Sequence, residues 1–354
     1  MTHPLLSVRN LRTQFHTRDG TVRAVDGVDF DVNPGETVCL VGESGSGKTV
    51  ACESITKLVP SPPGEISGTI RFDGGDLTRF SKKKLREYRG NQIAHVFQNP
   101  QDALDPVYTI GSQLIETVRF HRSTSKSAAR KRAIKLLDRV GIPEPGTRFD
   151  DYPHEFSGGM KQRVVIAMAL VADPDLLIAD EPTTALDVTT QRGILDLLNE
   201  IQAERDMAIL FVTHDLGVVA EMADRVIVLY AGKVMERGDV YGVFEHPAHP
   251  YTQALFRSLP RQDGTPESIE GEFPSLMDPP AGCRFHPRCP YTVEECTTGE
   301  QPPLESIGGE PGREASCIFY SAGRDQSTVQ DNAPVNMTGN ENQGEWQRTN
   351  GGEQ

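Results

Sequence analysis

The sequence has no hydrophobic run long enough to cross a lipid bilayer. Its longest apolar stretch, Val164 to Ala172, is bounded by Arg163 and Asp173 and reaches only about half of the roughly 20 residues that a transmembrane helix needs. The N-terminus also lacks the charged and apolar regions of a secretory signal peptide. These absences predict a cytoplasmic chain with no membrane span of its own.

Positive charge is also scarce. The chain has 36 Lys and Arg against 50 Asp and Glu, which gives a formal net charge of −14. A protein that binds nucleic acid needs a basic surface to neutralise the phosphates, so DNA or RNA is a poor candidate for the main ligand. The acidic balance is compatible both with a saline cytoplasm and with a general need for solubility.

Cysteine is infrequent, with six residues in 354. Cys39 and Cys52 flank a glycine-rich loop, and the other four occur late in the chain, at Cys283, Cys289, Cys296 and Cys317. In a reducing compartment, clustered cysteines favour metal ligation over disulfides. Four thiolates suit a 4Fe–4S cluster or tetrahedral zinc, although the closely spaced cysteine pairs of most zinc sites are missing.

Short apolar strands alternate with helical segments in the first two thirds of the chain. The pattern predicts two partly exposed strands at 5–9 and 22–32, and buried strands at 37–41, 93–97, 176–179, 209–212 and 226–229. Between about residues 99 and 155 the pattern is mostly helical. This alternation predicts an α/β domain whose mainly parallel sheet is covered on both faces.

The character of the sequence changes after about residue 240. Prolines and glycines become more frequent and the regular periodicity fades, which predicts a second, smaller module over 241–320. Residues 322–354 are polar with few apolar side chains. That composition predicts a disordered tail.

A phosphate-binding loop follows the first buried strand. Residues 42–49 read G-E-S-G-S-G-K-T and lie between a predicted strand and a predicted helix, which is the context that the motif requires. Backbone N–H groups of the glycine-rich turn and the positive end of the helix would bind phosphate oxygens. Lys48 would neutralise the β- and γ-phosphates, and Thr49 would ligate Mg²⁺.

Polar residues follow other strands of the predicted sheet, where open α/β sheets bind their ligands. Asp180 is a candidate Mg²⁺ ligand, and Glu181 would orient or deprotonate the attacking water. His214 would contact the γ-phosphate, and Gln98 would ligate Mg²⁺ and connect to the helical segment that follows. Phe15 is a candidate either to stack on an adenine ring or to fill the core.

A second anion site is predicted at residues 156–163, which read F-S-G-G-M-K-Q-R. A Ser-Gly-Gly at the start of a helix presents backbone N–H groups to an anion but has no lysine of its own. Together with the adjacent carboxylates 180 and 181, it predicts a nucleoside triphosphatase that completes its active site across a dimer.

The whole set of motifs resembles the ATP-binding-cassette (ABC) ATPases. G-E-S-G-S-G-K-T, Gln98, F-S-G-G-M-K-Q-R, L-L-I-A-D-E, A-L-D and His214 occur in the order and at the spacing of that family over about residues 5–240. The resemblance implies a P-loop NTPase cassette with a RecA-like parallel sheet, an antiparallel β subdomain and a helical subdomain at about 99–160. One departure is Met160, where the family most often has Gln.

The resemblance also implies the site residues. The catalytic residues would be Lys48, Gln98, Glu181 and His214. The Mg²⁺ ligands would be Thr49, Gln98 and Asp180. Ser157, Gly158 and Gly159 would contact the γ-phosphate of ATP held by a partner's loop, and Asp187 would lie at the dimer seam. The implied ATP contacts within the chain are Phe15, Gly42, Glu43, Ser44, Gly45, Ser46, Gly47, Lys48, Thr49, Val50, Gln98 and Asp180. The expected cofactors are ATP and Mg²⁺.

The tail narrows the resemblance. H-P-A-H-P-Y-T-Q-A-L-F-R-S-L-P at 246–260 and G-C-R-F-H-P-R-C-P at 282–290 are similar to the ATPase subunits of dipeptide and oligopeptide importers. This implies a peripheral protein at the cytoplasmic face of the membrane, working with a paralogous second ATPase subunit, two permease subunits and, indirectly, an extracellular solute-binding protein. Some members of that subfamily hold a 4Fe–4S cluster at these cysteines, which favours the cluster over zinc.

Three other functions are weighed against peptide import. Importers of nickel or oligosaccharides carry similar tails. A cassette acting on nucleic acid or ribosomes is a remoter alternative, because such proteins commonly have two cassettes in one chain or a long coiled-coil insertion. A cassette that binds ATP without hydrolysing it is disfavoured by the intact Lys48, Asp180, Glu181 and His214.

Overall fold

The fold is taken from a computed structural model, which describes residues 3–99, 103–183, 186–258, 267–309 and 312–330. The part of the predicted tail beyond residue 330 lies outside these residues. Within them the chain forms two β-sheets and a set of helices. No helix in these ranges combines the length and the apolar character needed to cross a membrane.

The larger sheet is mainly parallel. Its strands are β3 (Thr37–Val41), β6 (Ile93–Val96), β7 (Leu176–Asp180), β8 (Ala208–Val212), β9 (Arg225–Tyr230), β10 (Lys233–Asp239), β11 (Glu305–Ser306) and β12 (Glu314–Ala315). They lie in the order β11-β12-β10-β9-β3-β8-β7-β6, with β9, β3, β8, β7 and β6 parallel to one another. All residues of β3, β7 and β8 are buried, which is why these strands are continuous apolar runs. The predicted parallel sheet is confirmed.

The smaller sheet is antiparallel. It contains β1 (Leu6–His16), β2 (Thr21–Val32), β4 (Gly64–Phe72) and β5 (Gly75–Asp76), in the order β2-β1-β4-β5. β1 is longer than the predicted strand at 5–9. The reason is a set of register shifts against β2, between Val8 and Leu11 and between Thr13 and Gln14, which break the alternation of apolar and polar residues without ending the strand.

Most of the described helices begin after a residue whose side chain caps the first turn. They are α1 (Lys48–Ile55), α2 (Lys82–Tyr88), α3 (Ile110–His121), α4 (Lys126–Arg139), α5 (Pro145–Arg148), α6 (Gly158–Leu170), α7 (Val188–Arg205), α8 (Leu216–Met222), α9 (Val240–Glu245), α10 (Pro250–Arg257) and α11 (Ser327–Gln330). The side chains of Thr109 and Ser125 accept hydrogen bonds from backbone N–H groups in the first turns of α3 and α4, which stabilises these helix starts. Buried Ile110, Leu114 and Val118 recur at the spacing that forms one face of α3.

The C-terminal residues add to the cassette instead of forming a separate layer. β12 pairs with β10, so that Ala315 lies opposite Glu236. The fully buried carboxylate of Glu236 accepts hydrogen bonds from the backbone N–H groups of Ala248 and His249, at 2.9 and 2.8 Å. This buried acceptor connects the parallel-sheet domain to the start of α10.

The predicted disorder of 322–354 is wrong for its first residues. Residues 327–330 form α11, and Val329 is fully buried in a small apolar cluster with Ala248 and Tyr320. Gln253 Nε2 also donates a hydrogen bond to the carbonyl of Val329 at 2.8 Å. The turn is therefore held against the module both by the buried side chain of Val329 and by a hydrogen bond to its carbonyl.

Candidate active site

The phosphate loop joins the end of β3 to the start of α1 and packs tightly against neighbouring backbone. Gly42 has a φ of 147°, and a Cβ there would lie 2.1 Å from the carbonyl oxygen of Leu229. Gly47 has a φ of 102°, and its Cβ would lie 2.2 Å from the carbonyl oxygen of Ala24. Only glycine fits such positions, so the motif's glycines are required by the path of the loop.

Lys48 points back into this loop. Its Nζ donates hydrogen bonds to the carbonyl oxygens of Gly42 and Glu43, at 2.7 and 2.9 Å, and lies 3.3 Å from Ser46 Oγ. Burial lowers the pKa of the ammonium group, and the nearby carboxylates of Glu181 and Asp180 oppose that shift. The cation is therefore held in the concave side of the loop, where phosphate oxygens would replace carbonyls as its acceptors.

Asp180 and Thr49 form an oxygen-rich pair beside Lys48. Burial raises the pKa of the Asp180 carboxyl group, and the nearby Thr49 side chain opposes that shift. Its Oδ1 is buried with no hydrogen-bond partner in the part of the chain that is described. A buried carboxylate oxygen without a donor suits a hard cation such as Mg²⁺, so these residues fit the predicted metal.

Glu181 is held between two of the predicted residues. Gln98 Nε2 donates a hydrogen bond to Glu181 Oε2 at 2.9 Å, and His214 Nδ1 lies 3.1 Å from Oε1. The backbone of Glu181 has a φ of 48°, a left-handed conformation that is costly for a residue with a side chain, and its N–H donates to the carbonyl of Val212 at 2.8 Å. Glu181, Gln98 and His214 are thus brought together from the ends of three strands.

The Ser-Gly-Gly segment opens α6 on the surface. Ser157 Oγ accepts a hydrogen bond from Met160 N at 3.3 Å, and Ser157 and Gly158 are exposed. A Cβ at Gly159 would lie 3.4 Å from the side chains of Leu186 and Thr190. Among the described residues, no hydrogen bond or ion pair joins this helix start to the chain's own phosphate loop.

Asp187 and Phe15 occupy separate positions. Asp187 is exposed and caps α7, accepting from Thr190 N at 2.9 Å and from Thr190 Oγ1 at 2.8 Å; these bonds lower the pKa of its carboxyl group. Phe15 is half-buried near the end of β1, paired with Val22 and Gly64. Stacking of Phe15 on an adenine ring stays a prediction.

The rest of the loop combines exposed and anchored residues. Ser44, Gly45 and Thr49 are exposed, whereas Ser46 is buried. Val50, in the first turn of α1, packs beside the core cluster under the smaller sheet. Glu43 contacts the C-terminal module, through Tyr251 and Arg288. The sequence does not predict that contact, because nothing in the spacing of the two tail motifs places them beside the phosphate loop.

Comparisons with known proteins match both parts of the chain. The family described as "ABC transporter" matches residues 25–184, and "Oligopeptide/dipeptide transporter, C-terminal region" matches residues 235–296. A Brucella melitensis protein named "Putative peptide import ATP-binding protein" is 51% identical over 332 residues, which cover 90% of this chain and 97% of that protein. A dipeptide transport ATP-binding protein of Bacillus subtilis is 51% identical over 296 residues, covering 82% and 88% of the two chains.

One solved structure extends the comparison to three dimensions. The ATP-binding cassette MJ0796, in a dimeric post-hydrolysis state bound to ADP and Pi, has a TM-score of 0.61 and 28% identity, covering 66% of this chain and 98% of that one. The chain belongs to the oligopeptide/dipeptide ABC transporter ATP-binding family. As an ABC ATPase it binds and hydrolyses ATP with Mg²⁺, and the predicted cassette fold is confirmed.

The four late cysteines of this ABC ATPase surround one small apolar cavity. Cys283, Cys289, Cys296 and Cys317 all line it, and it encloses about 10 Å³, close to the least that one water molecule needs. Burial raises the pKa of Cys289 to about 11 and that of Cys317 to about 12, which favours neutral thiols. No group of three or more His, Cys, Asp or Glu in the described ranges is arranged to hold a metal ion. The predicted 4Fe–4S cluster is not supported, and neither is zinc.

Proposed function

We propose that this ABC ATPase powers the import of dipeptides or oligopeptides through separate permease subunits at the cytoplasmic face of the membrane. The observation that carries the proposal is that the chain's own C-terminal region matches the oligopeptide/dipeptide transporter family. The relatives' names point the same way, since they are peptide import and dipeptide transport proteins. We propose a cassette over 5–240, with its helical subdomain at about 99–160, and a C-terminal module over 241–320.

Within one chain, separate residues would bind the phosphates, hold Mg²⁺ and activate the attacking water. Lys48 and the N–H groups of the loop would bind the β- and γ-phosphates, and Thr49 and Asp180 would hold Mg²⁺, which supplies charge neutralisation when bound. Glu181 would accept a proton from the attacking water or orient it. Gln98 and His214 would fix the Glu181 carboxylate from its two sides.

The exposed start of α6 would complete the site of a second cassette. Ser157 and Gly158 are exposed to solvent. Asp187 is exposed as well, and its sequence neighbour Leu186 lies near Gly159. A helix start of this kind stabilises a negative charge that lies next to its first N–H groups. ATP would therefore hold two cassettes together, and hydrolysis would release them. A paralogous ATPase subunit is the proposed partner.

A groove on α3 would receive the permease. It is lined by Ser112, Ile115, Glu116, Arg119, Phe120 and Lys126. Phe120 is 74% exposed, and Val107 and Tyr108 nearby in the chain are 70% and 57% exposed. Exposed apolar groups of this size favour a partner surface. Since Gln98 contacts Glu181 and precedes this helical segment, motion at the ATP site would pass to the permease through it.

The alternatives are less well supported. Importers of nickel and of oligosaccharides use the same kind of ATPase subunit, but the two relatives from Brucella and Bacillus are named for peptides. A cassette for nucleic acid conflicts with the net charge of −14. A metal at the four cysteines is not part of this proposal; iron and sulfide analysis after anaerobic purification tests it directly.

Reconstitution tests the proposal. The chain is purified from solubilised membranes and should bring a second cassette and two permease subunits with it. In proteoliposomes with solute-binding protein outside and ATP inside, we expect uptake of labelled di- and tetrapeptides, and none of Ni²⁺ or labelled oligosaccharide. Uptake of Ni²⁺ or oligosaccharide without peptide would overturn the substrate assignment.

A matched pair of variants tests the groove. Phe120→Glu should reduce co-purification with the permease, while Tyr241→Glu, which alters a 64% exposed aromatic on α9 outside the groove, should not. Equal loss in both variants, or no loss in either, contradicts docking at α3.

A further inference from the structure

Two tail motifs with no role in the ATPase mechanism converge on one residue of the phosphate loop. Arg288, from G-C-R-F-H-P-R-C-P, forms a bidentate ion pair with Glu43, with Nη1 2.9 and 3.1 Å from Oε1 and Oε2 and Nη2 3.2 Å from Oε2. Tyr251, from H-P-A-H-P-Y, accepts a hydrogen bond through its hydroxyl from the backbone N–H of Glu43, at 2.8 Å. The side chain and the main chain of this loop residue are thus both held by the C-terminal module.

Arg288 is itself rigidly held. Its side chain is only 4% exposed. Nε donates to the carbonyl of Glu270 at 2.9 Å, Nη2 donates to the carbonyl of Ile269 at 3.0 Å, and Nη1 lies 3.2 Å from Tyr230 Oη. A planar guanidinium with this many fixed acceptors has one orientation. Because Arg288 belongs to the module, the module thereby fixes the position of the Glu43 side chain in the loop.

Glu43 passes this contact on to Lys48. The carbonyl oxygen of Glu43 is one of the acceptors of Lys48 Nζ, at 2.9 Å. Phe273 of the module also lies next to the loop, because its Cε1 would be 3.8 Å from a Cβ placed on Gly45. A chain of direct contacts therefore runs from Arg288 through Glu43 to the ammonium group that would bind phosphate.

Charge gives the ion pair a second role. Glu43 places a carboxylate inside a loop that must bind a polyphosphate, and like charges at short range repel strongly where water is partly excluded. Arg288 neutralises that carboxylate. Without the arginine, the unpaired carboxylate would oppose the incoming phosphates.

We propose that Arg288 and Tyr251 are positioning residues of the ATPase, which act through Glu43 to hold the phosphate loop in its ATP-binding conformation and to neutralise its carboxylate. ATP affinity then depends on an intact C-terminal module. The inference rests on ATP binding at this loop, and it is independent of the transported solute.

The experiment measures KM and kcat for ATP, and the Kd of MgATP, on the purified full-length chain. Arg288→Gln should raise KM and Kd by about tenfold or more, the effect expected from losing hydrogen bonds to a charged group, while kcat changes less than about twofold, because no group that touches the reacting atoms is altered. Arg288→Gln/Glu43→Gln should recover a large part of the lost affinity, because the unpaired carboxylate is gone. Additive losses in the double variant would overturn the charge argument.

A control and a second variant separate positioning from folding. Arg324, just beyond the module, pairs with Glu295 on the module's exposed surface at 2.8 Å, so Arg324→Gln should leave KM unchanged. Tyr251→Phe removes only the acceptor of the Glu43 N–H and should raise KM several-fold, so it decides the matter if Arg288→Gln does not fold. A lower melting temperature with unchanged KM in Arg288→Gln or Tyr251→Phe means a merely structural tether and overturns the proposal. Failure of the unaltered chain to bind ATP would instead contradict the ATPase assignment.

Discussion

His214 and Glu181 are neighbours in space although they follow different strands. Nδ1 of the imidazole lies 3.1 Å from Oε1 of the carboxylate. The two residues come after β8 and β7, which are adjacent and parallel. The His214 side chain is 59% exposed and that of Glu181 only 14%. The histidine is therefore the solvent-exposed partner of a largely buried carboxylate.

Glu181→Gln should stop turnover while preserving ATP-dependent dimerisation. The amide keeps the shape of the side chain and still bonds to Gln98 and His214, but it cannot accept the proton of the attacking water. The expected loss in kcat is about a hundredfold or more. Phosphate release and the molar mass in solution with ATP measure the two effects. Turnover close to that of the unaltered chain would falsify the role given to Glu181.

His214→Ala should lower kcat by about tenfold, because Glu181 loses one of the side chains that hold its carboxylate. The melting temperature should be unchanged, since the imidazole is mostly exposed. The matched control is His16→Ala, which removes a similar pair with Glu65 at 2.9 Å on the exposed edge of β1. If both variants lose activity equally, the effect does not come from the active site.

Asp180→Asn should raise the Mg²⁺ concentration needed for half-maximal ATPase activity. The expected change is at least about tenfold, the lower end for disrupting even an outer partner of a metal. Without ATP and Mg²⁺ the variant should melt at a higher temperature, because burial raises the pKa of Asp180 and its charged form therefore destabilises the fold at neutral pH. A metal titration and thermal melts check both directions, and an unchanged Mg²⁺ requirement contradicts the ligand assignment.

Glu236 should make the stability of the chain depend on pH. Burial raises the pKa of its carboxyl group to about 7, against the ordinary 4.5. Because the folded state binds this proton more tightly than the unfolded state, the contribution is largest at low pH and is lost as pH rises toward the folded pKa. Between about pH 6 and about pH 8 the loss is roughly 1.4 kcal/mol.

The Glu236→Gln variant isolates that contribution, because its side chain does not titrate. The free energy of unfolding from urea denaturation should fall more with pH in the unaltered chain than in the variant, by roughly the amount given above. The variant should be less stable at low pH, where its amide NH₂ faces one of the N–H groups of Ala248 and His249. If the free energy of unfolding changes with pH equally in the two proteins, the role given to Glu236 is contradicted.

The sheet was largely predictable from local pattern. Buried parallel strands are short apolar runs, and the predicted strand at 176–179 differs from β7 by one residue. The length of β1 and the turn of α11 were not predictable in this way. Register shifts in β1 hide its periodicity, and α11 depends on the burial of one side chain, Val329, against distant residues.

The proximity of the candidate site residues was predictable, but not all of their contacts were. Gln98, Glu181 and His214 follow strands whose parallel arrangement brings their ends together, so their proximity follows from the topology. Glu43 and Arg288 are separated by 245 positions. No local pattern links them, and the arginine had no predicted role at the nucleotide.

The sequence by itself determined that this protein is an ATPase. Phosphate binding needs glycines, a lysine and carboxylates at short fixed spacings, and such spacings can be read directly along the chain. The tertiary structure alone decided how the tail relates to that engine. Only the folded chain brings Arg288 and Tyr251 into contact with Glu43. Only the folded chain, likewise, places the four cysteines around one small cavity. Such contacts depend on packing between segments far apart in the chain, where spacing along the sequence carries no information.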